Sequence, residues 1–271
     1  MMEIIKAIIL GIVQGLTEFL PVSSSGHLIF FKKIFGLEGE SFGLTFDIAL
    51  HIATLVAVVV VLWKEIVPLL KKPFQKYVYL LVVATIPAGI IGILFDDVIE
   101  EISQSGGFLG IAFLITAVVL WVSERIGKKT KEKDDMTYKD ALIIGTAQAI
   151  AVMPGISRSG STLSAGLITG LKKEPAVNFA FLMSIPIIGA SAVLGVKNIF
   201  EAPGAFEWTV VLAGMIASGV SGYFAVRFMV DFFKKHSTKV FSIYVAALGI
   251  FVLADQLFFQ KFFDTFLLFK M

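Results

Sequence analysis

Long apolar stretches separated by short charged clusters dominate the chain. A helix that crosses a bilayer needs about 20 mostly apolar residues, and five stretches meet that test: 44–62, 77–95, 108–122, 179–196 and 208–230. A sixth, 240–259, is interrupted only by Asp255 and Gln256 near its end. Two further apolar regions fail. Residues 3–35 hold Gln14, Thr17, Glu18, Pro21, Ser23, Ser24, Ser25, Gly26 and His27 in mid-stretch, and residues 138–171 hold Gln148, Pro154, Gly155, Ser157, Arg158, Ser159, Ser161 and Thr162. Each reads as two half-length apolar pieces joined by a polar break. Irregular backbone at membrane depth is tolerated only where protein or a wet cavity surrounds it, so each break predicts a re-entrant helix-loop-helix.

Composition agrees. Of 271 residues, 57% are hydrophobic and 16% charged, against about 25% charged in a soluble domain, and mean hydropathy is +0.88. An integral membrane protein follows. The absence of cysteine excludes disulfides, thiolate metal sites and cysteine nucleophiles. A net charge of +2 without a basic, aromatic-interleaved patch gives no sign of nucleic-acid binding. The start, with Glu3 beside Lys6 and no small-residue cleavage site, does not read as a signal peptide.

Loop charge sets the orientation. Lys64, Lys71, Lys72 and Lys76 fill one loop, Arg125 to Lys139 another, and Lys172, Lys173, Lys234, Lys235 and Lys239 mark two more; the intervening loops are acidic or sparse. Placing the basic loops in the cytoplasm works for every span only if both broken regions are re-entrant, the first from the outer face and the second from the inner. A shift of 134 positions sets Gly11 on Gly145, Gln14 on Gln148, Ser23 on Ser157, Ser25 on Ser159 and Gly26 on Gly160, and a shift of about 130 sets Gly89 and Gly92 on Gly219 and Gly222. The expected fold is an all-α integral membrane domain, 1–271, built as an inverted-topology repeat. Residues 1–127 and 137–271 are the repeats, 128–136 is a cytoplasmic linker, and each half holds one re-entrant helix-loop-helix and three transmembrane helices. Such folds place a site near the midplane.

The two breaks carry the chemistry. Gln14 and Glu18 are four apart and share a helix face; a carboxylate in hydrocarbon is functional or paired, and both catalysis and a salt bridge to Arg158 suit Glu18. Pro21 ends the incoming helix and Ser23, Ser24, Ser25 and Gly26 open the next, making an anion pocket of hydroxyls and helix N-terminal N–H groups; simple capping would need one serine. Ser24 and His27 suit nucleophile and base. The second break repeats the pattern with Ser157, Ser159, Ser161 and Thr162 and adds Arg158, whose planar fork binds phosphate bidentately. Together these describe a receptor for a phosphate or diphosphate with a divalent cation, and the oxygen donors of Glu18 and Gln14 suit magnesium or calcium. Asp47 and His51, four apart at a span entrance, read as a cap or local hydrogen bond, and His236 as solvated. Gly11 and Gly15 form a GxxxG of close helix packing, with a homodimer through them left open. The Phe-rich tail, 258–269, reads as lipid-facing.

The segment from Gln14 to His27 (QGLTEFLPVSSSGH) and the segment from Pro154 to Thr162 (PGISRSGST) resemble the two signature motifs of the undecaprenyl-diphosphate phosphatases of the bacitracin-resistance type, as does Asp134 to Tyr138 before the second hairpin. The resemblance spans nearly the whole chain. It implies a multi-pass enzyme of the bacterial plasma membrane that converts undecaprenyl diphosphate to undecaprenyl phosphate and phosphate, recycling the carrier of peptidoglycan and other envelope polymers. By position, Glu18 and Gln14 would serve metal and diphosphate, and Ser24 or His27 would be nucleophile or base. Ser157, Arg158, Ser159 and Thr162, with Ser23 and Ser25, would hold phosphates. Position 14 is Gln where many members have Glu, so a metal held by two carboxylates does not fit this chain. A site opening to the periplasmic or extracellular side follows from the orientation. The rival class is a lipid-phosphate or anion transporter, which inverted repeats also suit but which does not need Ser24 and His27 beside Arg158.

Overall fold

The computed structural model describes residues 1–37, 42–201 and 207–263. Among these the chain is helical, apart from an isolated bridge between Lys131 and Leu171. Six helices are long and apolar enough to cross a membrane: α3 (Leu44–Val61), α5 (Lys76–Leu94), α7 (Leu109–Ile126), α10 (Lys173–Glu201), α11 (Trp208–Lys235) and α12 (Lys239–Ala254). They match the six apolar stretches of the sequence. Short α4 (Trp63–Lys71) and α6 (Asp96–Ser105) link α3 to α5 and α5 to α7. Each span is apolar on all sides, as a helix with one face on protein and one on hydrocarbon must be. In α5, Leu80, Ala84 and Ala88 are buried while Val82, Ile86 and Ile90 point outward.

Both polar breaks fold as expected. The first hairpin is α1 (Met2–Phe19) and α2 (Ser24–Phe35), and the second is α8 (Tyr138–Ile150) and α9 (Arg158–Ile168). At 18 residues α1 exceeds a half-span, because nothing in its sequence opposes a helix until Pro21. The first break is tight and strained: Ser23 sits at φ 72°, a left-handed conformation rare for any residue but glycine. Gly155, at φ 90°, turns the second break without that penalty.

Small residues set the depth of the hairpins. A Cβ on Gly11 would collide with the Gly214 carbonyl oxygen, and one on Gly15 with the Ser218 carbonyl and the Ser221 hydroxyl. The GxxxG therefore works inside the chain, seating α1 on α11 by close backbone approach. The Phe19 ring lies 3.6 Å from the Cβ position of Gly222, near the middle of the 28-residue α11, so the first break ends at mid-depth. In the same way Gly145 on α8 packs against the Ala84 carbonyl near the middle of α5.

The basic loops gather at one end of the bundle. Lys76 donates to the Asp134 carbonyl at 3.0 Å, Lys173 to the His236 carbonyl at 2.8 Å, and Glu124 pairs with Lys129 and Lys173 at 2.9 and 3.0 Å. The second hairpin enters and leaves here: Lys131 binds Asp140 at the start of α8 at 3.0 Å, and the amides of Thr130 and Lys131 donate to Gly170 just after α9. The first hairpin enters and leaves at the opposite end, where Lys32 of α2 binds Asp47 of α3 at 2.6 Å. At that end Asp255 and Gln256, which interrupt the last apolar stretch, are structural. A π-helical turn, Asp255–Phe259, closes α12, the Asp255 carboxylate accepts from the amides of Phe262 and Phe263, and the Gln256 amide donates to the carbonyls of Gly106 and Gly107. Of the Phe-rich tail, Phe258 and Phe259 are exposed as a lipid-facing segment would be, but Phe263 is buried and stacks on Phe30, and residues 264–269 lie outside the described residues.

A candidate active site where the two breaks meet

The tips of the hairpins are bonded to each other. Ser159 donates its hydroxyl to the Leu20 carbonyl at 2.8 Å, the Gly155 amide donates to Ser25 Oγ at 3.4 Å, and the Ser157 amide donates to Thr116 Oγ1 of α7 at 3.0 Å. Each outgoing helix is capped by its own serine: Ser23 Oγ accepts from the Gly26 amide at 3.2 Å and Ser157 Oγ from the Gly160 amide at 3.0 Å. The first helical residues after these caps are Ser24 and Arg158. Gly26 is required for closure, since the Phe113 ring lies 2.8 Å from its Cβ position.

Glu18 is the centre of the site. Its side chain is 2% exposed. Arg158 pairs with Oε1, while Ser24 donates its hydroxyl to Oε2 and Gln14 donates to the same oxygen at 2.9 Å. His51 Nε2 stands 3.6 Å from Oε2. His51 Nδ1 lies 2.7 Å from the Asp47 carbonyl, which only accepts, so Nδ1 donates there and Nε2 is the nitrogen turned to the carboxylate. All of these except Gln14 border one cavity of about 430 Å³. Ser23, Ser25, Ser157 and Ser159 border it too, and the remaining wall is largely apolar, with Leu44, Ile48, Gly92, Ile187 and Ile188. Gly89 and Gly92 leave open space where a Cβ would stand, widening the groove between α5 and α10.

The structure thus brings together Ser24, Glu18, Arg158 and the four capping and flanking serines. It does not bring His27 to Ser24. His27 is 2% exposed and outside the cavity; Nδ1 donates to the Ser23 carbonyl at 2.7 Å, Nε2 accepts from the Tyr244 hydroxyl at 2.8 Å, and the ring stacks on Tyr244 and meets the edge of Phe113. Three residues along a helix leave about 60° between side-chain directions, enough for Ser24 to face Glu18 while the larger ring settles among aromatics. Thr162 also faces away, its hydroxyl donating to the Arg158 carbonyl of its own helix at 2.9 Å. Sequence spacing instead discounted His51 as a local contact. It is that, through Asp47, and also a cavity residue, and only the seating of α3 beside α1 reveals the second role.

The donor set for a divalent cation is small. Among the described residues no three His, Cys, Asp or Glu side chains cluster as a ready cage. Gln14 Oε1, however, is a buried acceptor with no partner, on the residue that also bonds Glu18. Of the two only Glu18 borders the cavity, so a hard cation there would rest on that one carboxylate and take its other ligands from water and phosphate.

Comparison with known sequences agrees with this geometry. The family of the bacitracin resistance protein BacA matches residues 7–251, which hold both breaks and all six spans up to the last turns of α12. The chain belongs to the BacA family. Among similar members, the undecaprenyl-diphosphatase of Carboxydothermus hydrogenoformans is 43% identical over 258 residues, covering 94% of this chain and 98% of its own. Undecaprenyl-diphosphatase 3 of Bacillus cereus is 44% identical over 256 residues with the same coverage. The undecaprenyl-diphosphatase of Methanosphaera stadtmanae is 40% identical over 272 residues, covering 92% of this chain and 97% of its own.

Proposed function

We propose that this BacA-family protein hydrolyses undecaprenyl diphosphate to undecaprenyl phosphate and inorganic phosphate. One observation carries the reading: the Ser24 hydroxyl donates to the Glu18 carboxylate, and that carboxylate is held by Arg158, in one cavity with an apolar groove beside it. In the reaction Ser24 Oγ attacks the terminal phosphorus while its proton passes to Glu18 Oε2. The bridging P–O bond breaks, and undecaprenyl phosphate leaves with the electron pair. Water then attacks the phosphoserine, the P–O bond to Ser24 Oγ breaks, Glu18 returns its proton to that oxygen, and the proton lost by the water leaves with the phosphate. Arg158, exchanging Glu18 for phosphate oxygens, and the N-termini of α2 and α9 offset the negative charge of the transition state, the main demand of phosphoryl transfer. Glu18, which borders the cavity, would hold magnesium or calcium brought with the diphosphate, and the cation would supply further charge neutralisation there, while Gln14, off the cavity wall, steadies that carboxylate through its amide. His27 serves position, tying down the strained carbonyl of Ser23.

The opening is to the outer side of the plasma membrane. In support, the cavity is bordered by Leu44 and Asp47 at the start of α3, by Ile93 near the end of α5 and by Ile99 of α6, all at the end opposite the basic loops. The inverted repeat draws support from paired contacts: Gly11 meets the carbonyl of residue 214 and Gly145 that of residue 84, offsets of 134 and 130 that match the two sequence shifts. The site is assembled from one chain, so this reading needs no second copy. A transporter has no use for a serine hydroxyl aimed at a buried carboxylate.

The test is phosphate release from undecaprenyl diphosphate by the purified protein in detergent, with magnesium or calcium against chelator. Cation-dependent release that falls in Ser24→Ala and Arg158→Ala is the expected result. A folded wild type that binds the lipid and releases no phosphate would overturn the reading.

A further inference from the structure

Gln148 is the polar residue of the cavity wall whose needs the protein leaves unmet. It lies on α8, is 1% exposed and borders the cavity with Arg158. Both its Nε2 and its Oε1 lack any hydrogen-bond partner. Gln14 and Gln256 also hold an unpartnered oxygen, but their amide nitrogens are bonded and neither borders the cavity. A buried carboxamide empty at both ends is costly and in native proteins is explained by a ligand or a water.

The two breaks explain why this amide is free. In α1, Gln14 finds a carboxylate four residues on, at Glu18, and donates to it. In the second hairpin the residue four after Gln148 is Val152, which also borders the cavity and whose side chain can accept nothing. The same amide is thus satisfied inside the protein in one hairpin and left open to the cavity in the other. A diphosphate offers only acceptor oxygens at neutral pH, which match the two N–H donors of the carboxamide.

We propose that Gln148 is a substrate-binding residue whose Nε2 donates a hydrogen bond to the diphosphate held by Arg158. The inference rests on the proposed diphosphatase reading and adds a contact from α8, whose own sequence holds no other polar cavity residue. Oε1 then remains to accept from water in the filled site.

Two variants of nearly the same shape test it, Gln148→Met, which removes the donor, and Gln148→Glu, which replaces it with an acceptor. Phosphate release is measured with undecaprenyl diphosphate, and unfolding temperature with and without inorganic diphosphate. Gln148→Met should lower kcat/KM by about 10–100-fold, the worth of one hydrogen bond to a charged group. It should unfold no earlier than the wild type without ligand, since an unsatisfied buried amide has been removed. Gln148→Glu should lose more activity, and both should lose most of the rise in unfolding temperature that diphosphate gives the wild type. Both variants keeping kcat/KM within about threefold of wild type with the full rise would overturn the proposal and assign the amide to a structural water. If Gln148→Met fails to fold, Gln148→Glu decides alone. A wild type that gains stability from diphosphate but releases no phosphate would defeat the diphosphatase reading and leave the anion contact standing.

Discussion

Breaking the Glu18–Arg158 pair from either side should cost nearly as much as removing both members, so the two single losses should not add. Glu18 accepts three hydrogen bonds in a site where its side chain is 2% exposed, and Arg158 is 18% exposed. Glu18→Gln keeps the shape but replaces one acceptor oxygen with a donor. If the remaining oxygen serves Arg158, the new amide faces the Gln14 amide; if it serves Gln14 and Ser24, the amide faces the guanidinium. Either way a buried positive charge is left uncompensated, which costs about 3–5 kcal/mol in well-buried pairs. The cavity partly screens Arg158, so the lower end, about 3 kcal/mol, is expected. Arg158→Met strands the carboxylate instead and should cost a similar amount. The double variant, Glu18→Gln with Arg158→Met, strands neither charge, so its loss should fall short of the sum by about 2 kcal/mol. Unfolding free energies in mild detergent without substrate measure all three. Phosphate release in parallel should drop by about 10²–10⁴ with Glu18→Gln, the range for loss of a general base. Losses that add within about 0.5 kcal/mol, or a Glu18→Gln variant with wild-type turnover, would refute the account of the pair.

Three further expectations concern the surroundings. His51→Ala should lower kcat/KM about tenfold or more with little loss of stability, whereas His27→Ala, which leaves the Ser23 carbonyl and Tyr244 hydroxyl unpaired, should cost about 2 kcal/mol of stability; activity and melting curves on both variants check the division. Gly92→Leu should fill the open groove and raise KM for undecaprenyl diphosphate far more than for a short-chain prenyl diphosphate, and equal effects on both would remove the groove from the chain-binding path. Asp140, outside the spans, is pushed up by burial, but the Thr137 amide, Lys131 and the Thr137 hydroxyl outweigh this and hold its carboxyl below the usual value. It therefore stabilises the fold above the unfolded value near pH 3.9 and loses that contribution as pH falls through its folded value. Asp140→Asn should thus destabilise by about 1 kcal/mol at neutral pH, as loss of a capping box does, and the gap from wild type in unfolding curves should close below about pH 4.

The spans were legible because a membrane helix writes its length as an apolar run, and the breaks because Pro21, Pro154 and the serines stand where hydrocarbon is expected. Where α10 begins was not: Lys173, Glu174 and Asn178 are polar, yet they continue the helix beyond the apolar run. Glu18, Ser24 and Arg158 were legible as a set because charge and hydroxyls at membrane depth are conspicuous. The partner of Ser24 was not: helix spacing offers His27, three residues on, whereas Glu18 stands across the break on another helix, and the ring of His27 is drawn away into the aromatic cage of Tyr244 and Phe113. His51 was hidden for the opposite reason: its local bond to Asp47 is a sufficient explanation until α3 is laid beside α1.

The two outgoing helices put chemically opposite residues at one structural position. Ser24 in α2 and Arg158 in α9 each follow a capping serine and open the first helical turn. For Ser24 the position is favourable, because the positive helix end draws an attacking oxyanion and its phosphoryl target. For Arg158 it is unfavourable, because the same dipole repels a cation. An arginine is stable there only with an anion close by, and in the resting site that anion is Glu18. The arrangement therefore prepares an exchange. In the proposed reaction a diphosphate entering the cavity would take the guanidinium from Oε1, and the carboxylate, no longer neutralised by Arg158, would be a stronger acceptor at Oε2 for the Ser24 proton as that oxygen meets the phosphorus.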